Sequence, residues 1–280
     1  MSEPICVITP CFNAAPFLPA CLRSVAAQGA HVRKHIVMDG GSRDGSVEVL
    51  EEFSRAAPRL ILRSEPDKGQ SDALNKALAL VDTPYFAWLN ADDCYLPGKL
   101  GALVTATCAH FGPAIVYGDY QVIDAEGAVL KQRRQPSFNY WDCLYSCLTV
   151  QNCAAIFRTD VCRATGGFDP NLQFCMDYDL ILRLAAKGPV HHVREYVGCF
   201  RHHEAAKTSN LQSVCETETE QLRLKVSGCS SSSLRLRYWI GKGRVAVRML
   251  LEGCMGSRLV VGSPTGSSLA PGAVNNSGGS

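Results

Sequence analysis

Tyr85-Phe-Ala-Trp-Leu89-Asn90-Ala91-Asp92-Asp93 is the stretch on which the fold turns: five apolar residues form a strand that delivers the chain to a cluster of polar and acidic side chains. The same rhythm recurs on its amino-terminal side. Strands are predicted at Ile5-Cys-Val-Ile-Thr9, His35-Ile-Val-Met-Asp39 and Leu60-Ile-Leu-Arg63. Between them lie segments of helical period, with Phe17, Leu18, Cys21, Leu22 and Val25 after Pro16, then Val47, Leu50 and Phe53. The stretch from Gln70 to Val81 continues the pattern through Ala73, Leu74, Ala77 and Leu78. Alternation of short apolar runs with helices predicts an α/β fold, a Rossmann-like, mostly parallel sheet flanked by helices.

Beyond Asp93 a helix is predicted from about Lys99 to Phe111, then a strand at Ile115-Val-Tyr-Gly-Asp119 and a hairpin over 122–133 turning at Ala125-Glu126-Gly127. The region 139–203 mixes aromatic residues and short strands with one regular helix, Asp177 to Lys187. These patterns divide the chain into 1–119, a smaller part at 120–210, a helical extension at 211–255 and a tail at 256–280. The tail's Ser, Gly, Pro and Asn content predicts disorder.

Composition narrows the classes of function. The chain has 280 residues, 46% hydrophobic and 19% charged, with a net charge of +2. This is a globular balance without the basic excess of a nucleic-acid binder, so no nucleic-acid partner is expected. Its 14 Cys residues show no zinc spacing. The Met-Ser-Glu-Pro start lacks the basic and apolar regions of a secretion signal, so reduced thiols and a cytoplasmic location are expected. No apolar stretch approaches the roughly 20 residues that span a bilayer.

In an open parallel sheet, ligands bind beyond the carboxyl ends of the strands. Four such ends carry polar groups here: Thr9-Pro10-Cys11-Phe12-Asn13, Asp39-Gly40-Gly41-Ser42, Asp67-Lys68-Gly69-Gln70 and Asn90-Ala91-Asp92-Asp93. Asp39 before two glycines can face ring or ribose donors, or simply close a turn. Asp92 and Asp93 at a sheet edge repel one another unless a cation such as Mg²⁺ or Mn²⁺ lies between them and a diphosphate. The plainer alternative makes Asp93 a helix cap. Asp177-Tyr178-Asp179 opens a helix, where acids are favoured by the dipole alone. A carboxylate turned from there towards a sugar can also take a proton from an attacking hydroxyl. Of the neighbours His202 and His203, only one can reach a given metal from an extended chain.

Taken in order, these segments together with Glu65-Pro-Asp-Lys-Gly-Gln-Ser-Asp-Ala-Leu-Asn75, Gly166-Gly-Phe-Asp169, Met176-Asp-Tyr-Asp179 and Arg201-His-His203 resemble the family 2 glycosyltransferases of GT-A fold. The resemblance spans about the first 210 residues. It implies inverting transfer of a sugar from a nucleoside diphosphate donor, a UDP-sugar first, to a hydroxyl of a glycan or lipid-linked acceptor in surface polysaccharide assembly. On matched positions it implies that Thr9 and Asp39, with Pro10, Phe12, Asn13 and Gly40 around them, hold the base. Asn90 and Ala91 would lie beside the ribose. Asp92, with Asp93 and His203, would hold a divalent cation, Mn²⁺ or Mg²⁺. Asp177 would be the catalytic base. Lys68, Gly69, Gln70, Asp72 and Asn75 would touch the donor. Asn90 stands where many relatives carry the first Asp, which removes a charge near the ribose. The same comparison makes 1–119 the donor half and 120–210 the acceptor half.

From Leu234 to Leu251 every charged residue is basic, and Leu236, Trp239, Ile240, Val247, Leu250 and Leu251 share one helical arc. Such a segment suits peripheral contact with the inner face of the cytoplasmic membrane, or packing on the catalytic domain with solvated basic flanks. Gly241 and Gly243 are expected to weaken the helix. Two rival functions remain at this point. A nucleotidyltransferase would also gather acids and metal, but usually carries a Gly-rich basic loop after its first strand. A non-catalytic nucleotide-sugar-binding protein would bind donor without turnover.

Overall fold

A computed structural model describes residues 3–109, 112–146, 148–207 and 211–254. The expected disordered tail at 256–280 lies outside the described residues. Among the described residues, nine strands form one sheet. They are β1 (Ile5–Cys11), β2 (Val32–Asp39), β3 (Leu60–Ser64), β4 (Tyr85–Trp88), β5 (Cys94–Tyr95), β6 (Ile115–Ile123), β7 (Val129–Arg133), β8 (Ala155–Arg158) and β9 (Val190–Arg201). Their order across the sheet is β3-β2-β1-β4-β8-β6-β9-β5, with β7 paired to β6. The first four are parallel neighbours, and so are β6 and β9. β8 runs antiparallel between β4 and β6 and carries the sheet from the amino-terminal half into the rest.

Helices cover both faces. α1 (Leu18–Ala26), α2 (Ser46–Ala56), α3 (Gln70–Ala79) and α4 (Leu100–Ala109) connect the early strands. α5 (Tyr140–Tyr145), α6 (Thr159–Ala164) and α7 (Met176–Ala185) follow, and α8 (Gln212–Ser227) and α9 (Ser231–Leu251) end the described chain. Strand periodicity sorts the core. Phe86 and Trp88 of β4 join Cys6 and Ile8 of β1 in the cluster that α3, α5 and α7 complete. Ala87 and Leu89 join Ile5 and Val7 on the opposite face, with α1 and α4. Phe86, Tyr117 and Phe157 are fully buried, and truncating such a ring costs about 3–5 kcal/mol.

The expected strands fall inside β1, β2, β3 and β6, β4 stops one residue short of the expected Leu89, and the hairpin closes where Gly127 N–H meets the Asp124 carbonyl. α9 runs unbroken through Gly241 and Gly243. The packing explains Gly241: a Cβ there would lie 3.2 Å from Ser146 Cβ and 3.4 Å from Tyr145 Cβ, so its absence lets α9 approach α5. No disulfide joins the described cysteines, and no helix among the described residues is long and apolar enough to cross a membrane.

Candidate active site

The register of the parallel strands brings the expected loops to one edge. Cys11 at the end of β1 lies opposite Asp39 at the end of β2, and Asp39 lies opposite Ser64 of β3. The first two loops are zipped together by side chains. Asn13 Oδ1 accepts the N–H of Arg43, Ser42 Oγ takes that of Asn13, and Asp44 takes that of Ala15. Asn13 is left-handed at φ 48°, a conformation Asn tolerates better than most residues. Pro10 is half-buried, and the Phe12 ring beside it is 64% exposed, an open apolar surface at the mouth of the site.

Several residues expected to meet the donor are engaged elsewhere. Thr9 is fully buried, and its hydroxyl sits 2.9 Å from Nε2 of His35, whose own pKa burial lowers to about 3. Strand alternation turns the side chain of Thr9, a residue expected to hold the base, into the core. Asp39 is 1% exposed. Its Oδ2 accepts from Gly41 N–H and Ser42 N–H at 3.1 Å and from Ser64 Oγ at 2.7 Å, and its Oδ1 accepts from Ser42 Oγ. The turn consumes most of this carboxylate, leaving acceptor capacity chiefly on Oδ1. At Gly40 a Cβ would fall 2.4 Å from Asp67 Oδ2, so the glycine lets the β3–α3 loop close over the β2 end.

In that loop Asp67 caps Gly69, and Asp72 takes the Lys68 N–H and pairs with Lys76. Asp72, expected to touch the donor, thus acts as a helix-start cap. Asn75, likewise expected to touch the donor, is engaged through both amide atoms. Its amide donates to the Phe168 carbonyl at 2.7 Å and accepts the Phe168 N–H at 2.9 Å, clasping α3 to the Gly-Gly-Phe-Asp loop.

Asn90 is the hub of the site. Its Oδ1 accepts from Trp88 Nε1 at 2.8 Å and Gln70 Nε2 at 2.9 Å, while its Nδ2 faces Asp93 Oδ2 at 3.5 Å. An amide at this position therefore carries a donor towards Asp93, which the expected Asp could not do while ionised. Ala91 is buried and packs with Cys11 and Leu18. Gln70 in turn accepts from Lys207 Nζ at 2.8 Å, and Lys207 reaches the Gln173 carbonyl at 3.4 Å. Sequence reading missed Lys207. Partial desolvation holds its pKa below the usual lysine range, with Asp67, Glu218 and Asp92 acting in the opposite direction.

Asp92 and Asp93 have different environments. Asp93 is 1% exposed, and its Oδ1 accepts the Arg201 N–H at 2.9 Å. Burial and the neighbouring Asp92 push its carboxyl well above the usual range. Arg201 also binds the Asp92 carbonyl and those of Asp124 and Ala125, fixing this loop to the β6–β7 turn. Asp93, expected as a metal ligand, anchors β9 through its bond to the Arg201 N–H. The Asp92 side chain keeps 30% exposure, with Oδ2 lying 3.1 Å from Nε2 of His203. His203 is packed against Phe17 with ring centroids 4.4 Å apart. Among the described residues no three His, Cys, Asp or Glu side chains cluster as a complete metal site. A carboxylate and an imidazole about 3 Å apart nonetheless fit neighbouring positions on one divalent ion, whose other ligands would be diphosphate oxygens and water.

Asp177 lies in the first turn of α7, half-buried, with Oδ1 taking the Tyr178 N–H at 2.7 Å. Burial raises its carboxyl to about 6, against an ordinary 3.8. Its neighbours tie this end of α7 to the body of the protein. Tyr178 donates its hydroxyl to the carbonyls of Cys143 and Leu144. Asp179 grips Arg183, which binds the carbonyls of Thr165 and Gly167. Glu218 of α8, also missed from sequence, accepts the N–H groups of Gln173, Phe174 and Cys175 at 2.7, 2.9 and 2.8 Å. A carboxylate thus caps the approach to α7. Its signal in the sequence is nil, because the clamp joins positions more than forty residues apart.

The model of the family described as "Glycosyl transferase family 2" matches residues 6–165. Chondroitin synthase of Escherichia coli is 26% identical over 194 residues, which are 68% of this chain and 28% of that protein. A PGL/p-HBAD biosynthesis glycosyltransferase of Mycobacterium bovis is 34% identical over 115 residues, 40% of this chain and 45% of its own. The chain therefore spans less than half the length of either relative. Among solved structures, S. aureus TarS 1-349 in complex with UDP-GlcNAc superposes with a TM-score of 0.60 at 14% identity, covering 79% of this chain and 70% of that one. The mannosyltransferase PcManGT from Pyrobaculum calidifontis, in complex with GDP-Man and Mn²⁺, gives 0.62 at 16% identity, covering 91% and 77%. These structures share the GT-A fold with the chain.

Proposed function

The chain belongs to glycosyl transferase family 2, and from that premise we propose that it is an inverting glycosyltransferase moving a sugar from a nucleoside diphosphate donor, a UDP-sugar first, to a hydroxyl of a glycan or lipid-linked acceptor. The observation that carries the reading is the division between two acids. Asp92 is partly exposed and paired with His203, whereas Asp177 is desolvated and held at a helix start. Inverting displacement needs this separation: one acid meets the leaving diphosphate while another stays available for the acceptor proton.

Asp92 and His203 would hold a divalent cation, which when bound supplies charge to the departing diphosphate. Lys207, beside Gln70 and close enough to Asp92 to feel its charge, adds a second cation on that side. The Gln70 and Asn90 amides brace the loop, and the exposed Phe12 ring offers a stacking surface for the base. Asp177, at about 6, is ionised at neutral pH and takes the acceptor hydroxyl proton as the oxygen attacks the anomeric carbon. Peripheral attachment to the inner face of the cytoplasmic membrane would bring a lipid-linked acceptor within reach.

The test needs no acceptor. A panel of nucleotide-sugars is incubated with the protein and Mn²⁺ or Mg²⁺, and free nucleoside diphosphate is measured. Slow metal-dependent hydrolysis of one donor is expected. Pyrophosphate release from a nucleoside triphosphate and a sugar phosphate, with no donor hydrolysis, overturns it.

A further inference from the structure

α9 has two apolar stripes. Leu234, Tyr238, Gly241, Val245 and Met249 are buried against the body of the protein. Leu236, Trp239, Ile240, Val247, Leu250 and Leu251 are 53% to 80% exposed. With 3.6 residues per turn, the two stripes fall on opposite sides of the helix. The basic residues lie between them, Arg235 and Lys242 along one flank and Arg237, Arg244 and Arg248 along the other. No acidic residue occurs from Ser231 to Leu251.

Rolling cannot hide the outer stripe. Arg244 Nε and Arg248 Nη2 each lie 2.9 Å from the carboxylate of Asp142 on α5, which is 1% exposed. Arg237 Nη1 binds the Tyr145 hydroxyl at 2.7 Å. These anchors fix which face looks outward. Beside it, Trp141 of α5 is 53% exposed and stands across a groove from Ile240, with Arg237 and Arg244 in the groove walls. An exposed Trp within an apolar stripe, cationic flanks and a second exposed Trp across the groove match the chemistry of a lipid interface, with indoles at headgroup level and cations at phosphate level. A second copy of the chain is a poorer occupant, because the same cationic flanks would face each other across the contact.

We propose that this outer face of α9, extended by Trp141, docks on a bilayer surface carrying anionic lipids. The proposal rests on the reading that places the enzyme at a membrane, and its test is independent of sugar transfer.

The full chain is sedimented with phosphatidylcholine vesicles with and without phosphatidylglycerol. Binding to the anionic vesicles at least about tenfold tighter, weakened by salt, is expected. The variant Trp239→Ser/Leu250→Ser should lose about tenfold of that binding while its melting temperature and donor hydrolysis stay unchanged. Both side chains are exposed, so the fold does not depend on them. Absence of binding, equal binding to both vesicles, or an unaffected variant each overturns the proposal. A wild-type oligomer that the variant dissolves, without vesicle binding, assigns the face to a second copy and overturns it too. Failure of donor hydrolysis with intact vesicle binding would sink the catalytic reading alone.

Discussion

Nε2 of His203 lies 3.1 Å from Oδ2 of Asp92, across 111 residues of sequence. The pair closes the carboxyl edge of the sheet from two sides, and Arg201 keeps it in place through the Asp92 carbonyl. If it shares a cation, Asp92→Asn should weaken Mn²⁺ binding in the presence of nucleoside diphosphate by about tenfold or more and lower turnover by about 100-fold. Calorimetric titration of Mn²⁺ with and without UDP checks this, and removal of metal by EDTA should abolish donor hydrolysis reversibly. Unchanged Mn²⁺ affinity in the variant would remove the metal assignment.

Asp177→Asn should bind donor as the parent does and transfer sugar about 10²–10⁴-fold more slowly. For the parent, turnover should rise with pH through about 6, as the raised carboxyl ionises. Stability moves the other way. A folded-state value near 6 over an ordinary 3.8 means that the contribution of this carboxyl is complete below about pH 4 and is lost as pH rises through 6. At pH 8 the Asn variant should therefore be more stable than the parent by about 1–3 kcal/mol. Melting curves at pH 5 and pH 8, together with donor titration, test both halves, and equal transfer rates would transfer the base role elsewhere.

Glu218 does not reach the sugar in this reading, yet it should matter for rate. Glu218→Gln keeps the shape but removes the charge from three N–H bonds, at a cost of about 2 kcal/mol in local stability. We expect kcat to fall about tenfold, with the donor KM nearly constant. Hydrogen exchange at residues 173–175 should accelerate in the variant. A drop in KM-dependent terms alone, with unchanged exchange, would show that the clamp does not position α7.

Gly167 adopts φ +70°, and a Cβ there would sit 2.5 Å from Asn75 Oδ1. Gly167→Ala should cost about 2–3 kcal/mol by combining backbone strain with loss of the Asn75–Phe168 clasp. Asn75→Ala should cost a similar amount while leaving donor affinity within about twofold. Chemical denaturation and donor titration distinguish this structural role from a ligand role, in which affinity would fall first.

How much of this was legible in the sequence depends on distance along the chain. β1, β2 and β4 could be read because each is a run of apolar residues sandwiched between two layers, β3 because Leu60-Ile-Leu62 is a short apolar run at the sheet edge, and the helices between them repeat at 3.6. β8 is only Ala155–Arg158, and β5 only Cys94-Tyr95. Neither is long enough to show a period, and both exist because neighbouring strands offer unpaired edges. The site follows the same rule. The ordered motifs named the loops that meet, but side-chain direction within them was decided by partners out of view. His35 drew Thr9 inward, Phe168 engaged Asn75, and the Arg201 backbone took Asp93. Lys207 and Glu218 carried no pattern at all, since a lone cation or a helical Glu looks the same whether solvated or engaged.

The Glu218 clamp gives α8 a bearing on inheritance as well as on geometry. A recombination that exchanged the chain after residue 210 for another tail would leave the donor loops intact yet strand the acidic helix of Asp177 without its brace. Changes to the carboxyl-terminal segment would therefore be filtered by catalysis even at positions far from any substrate. A graft that preserved only the first 210 residues should yield a protein that still recognises nucleotide and works poorly.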